Sequence, residues 1–533
     1  MTIKRLILVV LTIFAIAKVS LSLVESWGQP QIQSRLELYQ TNLLLHASEW
    51  QALTTENSPD LTSARNVLIG AEPLNAAQKQ YQDARKTALT TQSQITAKLQ
   101  ELSSDAAAAS TVPDKPQVEI SRSPDSSAVA RQRQQLQQSL VQVKQLINEL
   151  DLRIGILQTQ QGKTAKAIQT WSELNQRIEP QPSDETSLSQ TANVLMGLWS
   201  EPPRLLPDAE SQIQKNLDSW FRYRALLKLY QLQQRQDALT LLTTQEQQAA
   251  EQSISKLALI GGIPGFGGLL GVGLLIFLIA QRLLQGKQSL LSTNGDVRWE
   301  TPWDWEIIWQ VLILGFFFIG QLLLPLAFGL LHINPINYTV RMKALYVLLS
   351  YLLMAFGGLL VLYFSIKPFF PVSEDWFRFK VRRNSILWGI GGYLVALPLV
   401  IVVSLLNQKL WQGQGGSNPI LPLALEGRDS IALLIFFITA CVAAPMFEEI
   451  IFRGFLLPSL TRYVPVWGAI LASSLLFAIA HLSLSEVLPL ATLGIVLGVV
   501  YTRSRNLLAS MLLHGLWNAG TLLSLFVLGS GSN

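Results

Sequence analysis

The 533-residue chain holds a single cysteine, Cys441. That excludes an internal disulfide framework and any Cys-x-x-Cys metal site. No His-Glu-x-x-His stretch occurs, so the usual zinc-protease helix is absent. A Gly-x-Gly-Asp pair is missing too, which removes the aspartyl type of intramembrane protease. Charge is scarce, with Asp, Glu, Lys and Arg at 14% of residues. The formal net charge of +5 comes mostly from short loops, so nucleic acid is not an expected partner.

Apolar runs take the place of charge. Residues 26 to 255 are polar and rich in Gln, whereas long apolar segments dominate from about 257 onward. A positive mean hydropathy and 14 Trp suit an integral membrane protein with interfacial aromatic belts. A membrane helix needs roughly 20 mainly apolar residues. Nine segments qualify: Leu6 to Val24, Leu257 to Ala280, Ile307 to Leu331, Ala344 to Ile366, Ile386 to Leu406, Ile431 to Leu457, Val464 to Leu482, Val487 to Tyr501 and Leu507 to Leu528. The expected fold is an all-α polytopic membrane protein. It has a core of eight helices, an N-terminal anchor (1–25) and a helical extramembrane domain (26–255).

Lys and Arg in short loops set orientation. Lys4 and Arg5, then Arg282, Lys287 and Arg298, then Lys367 and Arg378 to Arg383, then Arg462, then Arg503 and Arg505 all fall on one side. That side is read as cytoplasmic, with the polar domain and the C-terminus outside, in a periplasm or thylakoid lumen. The first segment is read as an uncleaved anchor rather than a signal peptide, because Ala15-Ile16-Ala17 is a weak cleavage site.

The polar region reads as helices, Ser34 to Trp50 and Ala76 to Leu102 first. Residues 103–130, with Pro113, Pro116 and Pro124, read as a disordered linker. Leu136, Leu140, Val143, Ile147, Leu150, Ile154 and Leu157 then mark one apolar helix seam. Three heptads favour packing on a neighbouring helix over a dimeric coiled coil. Gly155, Ala167 and Pro180, and later Trp220 to Leu242, resemble degenerate tetratricopeptide repeats, with a generic helical hairpin domain as the alternative. Such a domain presents a protein partner or a substrate. His46 and His332 read as ordinary surface or interface residues.

The chemistry lies in the last apolar segments. Glu448 and Glu449 end an uncharged run, with Arg453 one turn on. Central charges cost about 2.5–3.5 kcal/mol each on insertion scales, so they are kept where they act. Glu449 and Arg453 are four apart and share a helix face. Glu448 is rotated about 100° away and stays free. Phe477 and His481 are four apart, as are His514 and Asn518. A free carboxylate beside a neutral imidazole activates water, and His with Asn stabilises an oxyanion. Amide hydrolysis needs both.

These elements, Glu448-Glu449-x3-Arg453, Phe477-x3-His481 and His514-x3-Asn518, resemble the three motifs of the CAAX-prenyl-protease and bacteriocin-processing family of intramembrane endopeptidases, also called the Rce1-type or Abi family. Pro445 suits the same pattern. The motifs fall within 441–518 of an expected protease domain at 256–533. The resemblance implies that Glu448 activates water with help from His481. It assigns the oxyanion site to His514 and Asn518, and a supporting role to Glu449 and Arg453. Members are described both as metalloproteases and as metal-free glutamate proteases. The resemblance therefore leaves open a divalent metal such as zinc at Glu448, His481 and His514. The expected substrate is a membrane-associated or lipidated peptide or protein. Other readings are an inactive membrane scaffold and a proton-coupled transporter, though no internal repeat supports a transporter. One misfit stands. At 1.5 Å per residue Glu448 lies about 13 Å deep and His514 about 10 Å, but His481 comes out about 25 Å deep.

Overall fold

The computed structural model describes residues 2–27, 32–51, 69–109, 124–178, 187–333, 335, 338–411, 415–416 and 429–530. All regular structure among them is helical. In chain order the helices are α1 (Ile3–Trp27), α2 (Ile32–Ser48), α3 (Pro73–Ala109), α4 (Pro124–Gln160), α5 (Thr164–Arg177), α6 (Ser187–Leu198), α7 (Ala209–Asn216), α8 (Ser219–Gln233) and α9 (Gln236–Leu257). Then follow α10 (Ile263–Gln285), α11 (Trp305–Leu330), α12 (Val340–Ile366), α13 (Arg383–Trp411), α14 (Ser430–Leu460), α15 (Val466–Ile479), α16 (Leu484–Ser504) and α17 (Leu507–Gly529). The chain forms two compact units. One comprises Met1–Ile32 with Ile260–Ser530, the other Gln33–Leu259.

In the helical unit the apolar seam of α4 packs on α3, as an ordinary amphipathic helix does. Ile147, Leu150, Ile154 and Leu157 are buried with Ala77 and Tyr81 of α3. Gly162, at φ +75°, makes the turn into α5. Gly155 is needed there, since a Cβ would lie 2.2 Å from Trp171 Nε1. That indole donates to Leu152 O at 3.1 Å, so Trp171 is buried yet satisfied. Within the expected 103–130 linker, residues 103–109 and 124–130 are helical. Helices reach Ala109 and resume at Pro124, and residues 110–123 lie outside the described residues. The Ala run before Pro113 is itself a good helix former.

Among the described residues eight helices are long and apolar enough to cross a bilayer. Polar caps start several of them. Asp304 accepts from the N–H groups of Glu306 and Ile307 at the start of α11. Asp429 does so from Ile431 and Ala432 at α14, and Asn506 from Leu508 at α17. Each cap satisfies donors that an apolar environment would leave unpaired. Leu269, Ile276, Phe277, Leu283 and Leu284 of α10 are exposed, as a lipid-facing surface requires. Helix α1 docks on the same bundle. Lys4 and Arg5 pair with Glu306 at 3.0 and 2.8 Å, and Trp309 Nε1 donates to Thr12 at 2.7 Å.

The seventh expected span, Val464 to Leu482, is the exception. Helix α15 has 14 residues, about 21 Å of rise, against a hydrocarbon core of about 30 Å. Pro465 starts it, and Leu482, at φ +58°, follows its end. Apolar residues beyond the helix ends had lengthened the segment on hydropathy alone.

Candidate active site in the membrane unit

The acids sit on α14, whose backbone changes winding around them. Thr439–Ala443 and Ile450–Leu456 are π-helical, with α-helical Ala444–Glu449 between. Such π turns recur at functional sites. In this register each N–H reaches back five residues, and Ala444 N–H meets Thr439 O. Pro445 is next and has no N–H to give. The Ala440 carbonyl is thereby left over, and Asn518 Nδ2 of α17 donates to it at 2.7 Å.

Gly515 permits that approach, because a Cβ there would lie 2.8 Å from Cys441 O. Gly515→Ala should therefore destabilise the protein by about 1–3 kcal/mol and pull His514 out of register. Gly273→Ala, which meets nothing within 4 Å, is the matched control. Thermal melting in detergent distinguishes the two. Equal melting would remove the close approach as a constraint.

Glu448 and Glu449 leave the helix toward different partners. Glu449 is fully buried, and its Oε1 accepts from Arg453 Nη1 at 2.8 Å and from His514 Nδ1 at 3.0 Å. Arg453, also fully buried, donates through Nη2 to Gly494 O at 3.2 Å. Its guanidinium carbon lies 4.5 Å from the centre of the Phe477 ring. The Oε1 atom of Glu448 accepts from the Tyr351 hydroxyl of α12 at 3.0 Å. Its Oε2 is buried without a hydrogen-bond partner among the described residues and stands 3.9 Å from His514 Nε2.

His514 thus lies between the two glutamates. An ionised carboxylate only accepts, so Nδ1 carries the proton given to Glu449, and Nε2 faces Glu448. His481 follows the same logic. Its Nδ1 donates to Phe477 O at 2.9 Å, leaving Nε2 free. The Phe477 ring is 5.0 Å from the His481 ring and 5.7 Å from that of His514. The Phe477 ring thus touches both imidazoles, that of His481 on its own segment and that of His514 on α17.

The structure brings Glu448, Glu449, Arg453 and His514 into direct contact and anchors Asn518 one turn along. His481 joins through the Phe477 ring. No direct hydrogen bond links it to Glu448 among the described residues. Tyr351 gave no sequence signal, since one Tyr in an apolar helix usually serves packing or an interface. His46, read as a surface or interface residue, is buried in the helical unit.

Both ring systems hold Nδ1–H on an oxygen and present Nε2, the disposition of a metal-ligating histidine. Among the described residues, however, no three His, Cys, Asp or Glu side chains stand close enough to hold a metal ion. The candidate donors of Glu448, His481 and His514 therefore do not converge.

Comparison with known proteins reaches the same region. The family described as "Type II CAAX prenyl endopeptidase Rce1-like" matches residues 430–520. The protein named "Putative membrane peptidase YdiL" of Bacillus subtilis (strain 168) is 27% identical over 134 residues, 25% of this chain and 54% of that protein. The chain thus spans about half the length of that relative. The membrane-embedded CAAX protease MroQ of Staphylococcus aureus (strain USA300) is 23% identical over 219 residues, 40% of this chain and 87% of the relative. An uncharacterized 24.3 kDa protein of Escherichia coli is 29% identical over 140 residues, 25% of this chain and 62% of that protein. No solved structure gives a significant match. The matched segment begins at the first residue of α14 and ends just past Asn518, so it contains all three motifs. Over residues 430–520 the membrane unit is thus similar to the Rce1-like family of CAAX prenyl endopeptidases.

Proposed function

We propose that this protein is an intramembrane endopeptidase that hydrolyses a peptide bond of a membrane-associated or lipidated peptide or protein. The observation that carries the reading is the unpartnered, buried Oε2 of Glu448, 3.9 Å from His514 Nε2. A water about 2.8 Å from each atom spans that gap and satisfies both. Its oxygen then points away from Glu448 toward an incoming carbonyl.

Glu448 takes a proton from this water as the oxygen attacks the scissile carbon. The tetrahedral intermediate collapses, the C–N bond breaks, and Glu448 returns the proton to the departing amine. Glu449 holds the imidazole of His514 in one tautomer, and Arg453 balances the charge of Glu449. His481 supplies a second free Nε2 beside the water. Asn518 has given one amide N–H to Ala440 O, and its second N–H serves the oxyanion. The assignment moves His514 from the oxyanion side, where the resemblance puts it, to the water side.

Tyr351 positions the base. Tyr351→Phe removes one hydrogen bond to a carboxylate and should lower kcat about 10- to 100-fold, with KM little changed. The assay is cleavage of a natural substrate identified by its new terminus in membranes of wild-type cells. A Tyr351→Phe protein with wild-type kcat would assign the tyrosine to packing.

A further inference from the structure

The helical unit contains a second buried constellation, remote in chemistry from the membrane glutamates. Glu246 of α9 lies with Oε1 2.7 Å from His46 Nδ1, on α2. The other ring nitrogen, Nε2, is 2.7 Å from the hydroxyl of Ser219, at the start of α8. All three residues are buried. An ionised Glu246 only accepts, so His46 Nδ1 carries the proton and Nε2 is bare. The Ser219 hydroxyl must then donate to Nε2. Carboxylate, imidazole and hydroxyl are aligned in the order of an acyl-transfer relay.

Two further observations mark Ser219 itself. Its φ is +54°, a left-handed backbone that a residue with a side chain seldom adopts, and it is the first residue of a 15-residue helix. Sharp, strained turns into a helix carry the nucleophile in α/β-hydrolases. Asp218, the residue placed to cap α8, makes no capping bond and is bonded instead to Arg153 at 3.1 Å. The uncapped first turn of α8 offers backbone N–H groups and the positive end of the helix dipole at the same terminus. A cavity of about 360 Å³ borders that terminus, lined by Glu149, Arg153, Lys215, Asp218 and Arg222 among others.

We propose that Ser219, His46 and Glu246 form a serine-type acyl-transfer site whose substrate is a small acyl ester. Ser219 Oγ attacks the ester carbonyl as its proton passes to His46 Nε2. The bond to the alcohol oxygen breaks, and His46 protonates the departing alcohol. Water then adds to the acyl–Ser219 ester, giving its proton to His46. Collapse releases the acid, and His46 returns the proton to Ser219. One ester and one water become one acid and one alcohol.

The competing explanation is a structural clasp joining α2, α8 and α9. A fluorophosphonate probe separates the two. Purified full-length protein in detergent is treated with the probe and digested, and the modified residue is mapped by mass spectrometry. The expected result is a phosphonylated Ser219, absent after heat denaturation. His46→Ala should form the adduct at least about 100-fold more slowly, and Glu448→Gln at the wild-type rate. An unmodified Ser219 in folded wild-type protein overturns the proposal, whether or not the His46 variant folds. An adduct formed equally fast in folded His46→Ala overturns it as well.

Discussion

Glu448→Gln should abolish proteolysis, by at least about a thousandfold, in a protein that accumulates and melts as wild type does. The amide keeps the volume of the acid, and its oxygen still accepts from Tyr351. It cannot take a proton from water, so the attack loses its base. No helix contact is lost, because the buried ties run through Glu449 to Arg453 and His514. The readout is a comparison of membrane-protein termini between wild-type and Glu448→Gln cells. Termini present in the wild type should vanish in the variant, with the intact precursors accumulating. If the same termini persist, Glu448 is not the base. The same comparison in Ser219→Ala cells keeps the two proposed activities apart, since peptide termini should not change there.

The sequence carried the site because charge in lipid is costly. Glu448, Glu449 and Arg453 stand out against an apolar run, and the i, i+4 rule pairs Glu449 with Arg453 by spacing alone. The same spacing places Phe477 with His481 and His514 with Asn518. What it does not encode locally is the backbone exception. The π winding of α14 leaves one carbonyl without a donor, and Asn518 is committed there through one of its two N–H bonds. Tyr351 was illegible because its partner lies 97 positions along the chain. The length of α15 was misjudged because hydropathy does not register where Pro465 starts a helix or where a left-handed Leu482 follows its end. His46 looked ordinary for the same reason as Tyr351. Its partners are 173 and 200 positions away, and only the packing of α2 against α8 and α9 brings them together.

Arg453→Met should cost about 3–5 kcal/mol, the largest single loss of stability expected in the membrane unit. The substitution removes a cation that is fully buried against Phe477 and leaves Glu449 charged and short of its main partner. His514 Nδ1 alone cannot offset the desolvation of that carboxylate. The double variant Glu449→Leu with Arg453→Met should recover most of the loss, because well-packed apolar pairs often replace buried ion pairs at little cost. Activity should not return with stability. Without Glu449 nothing fixes the His514 tautomer, and Nε2 is no longer held bare toward Glu448. Melting in detergent and cleavage of the same substrate, measured on the wild type and on the single and double variants, make the separation visible. A double variant that is stable and active would show that the pair serves only the fold. A single variant as stable as the wild type would show that the Arg453–Glu449 pair does not stabilise the bundle.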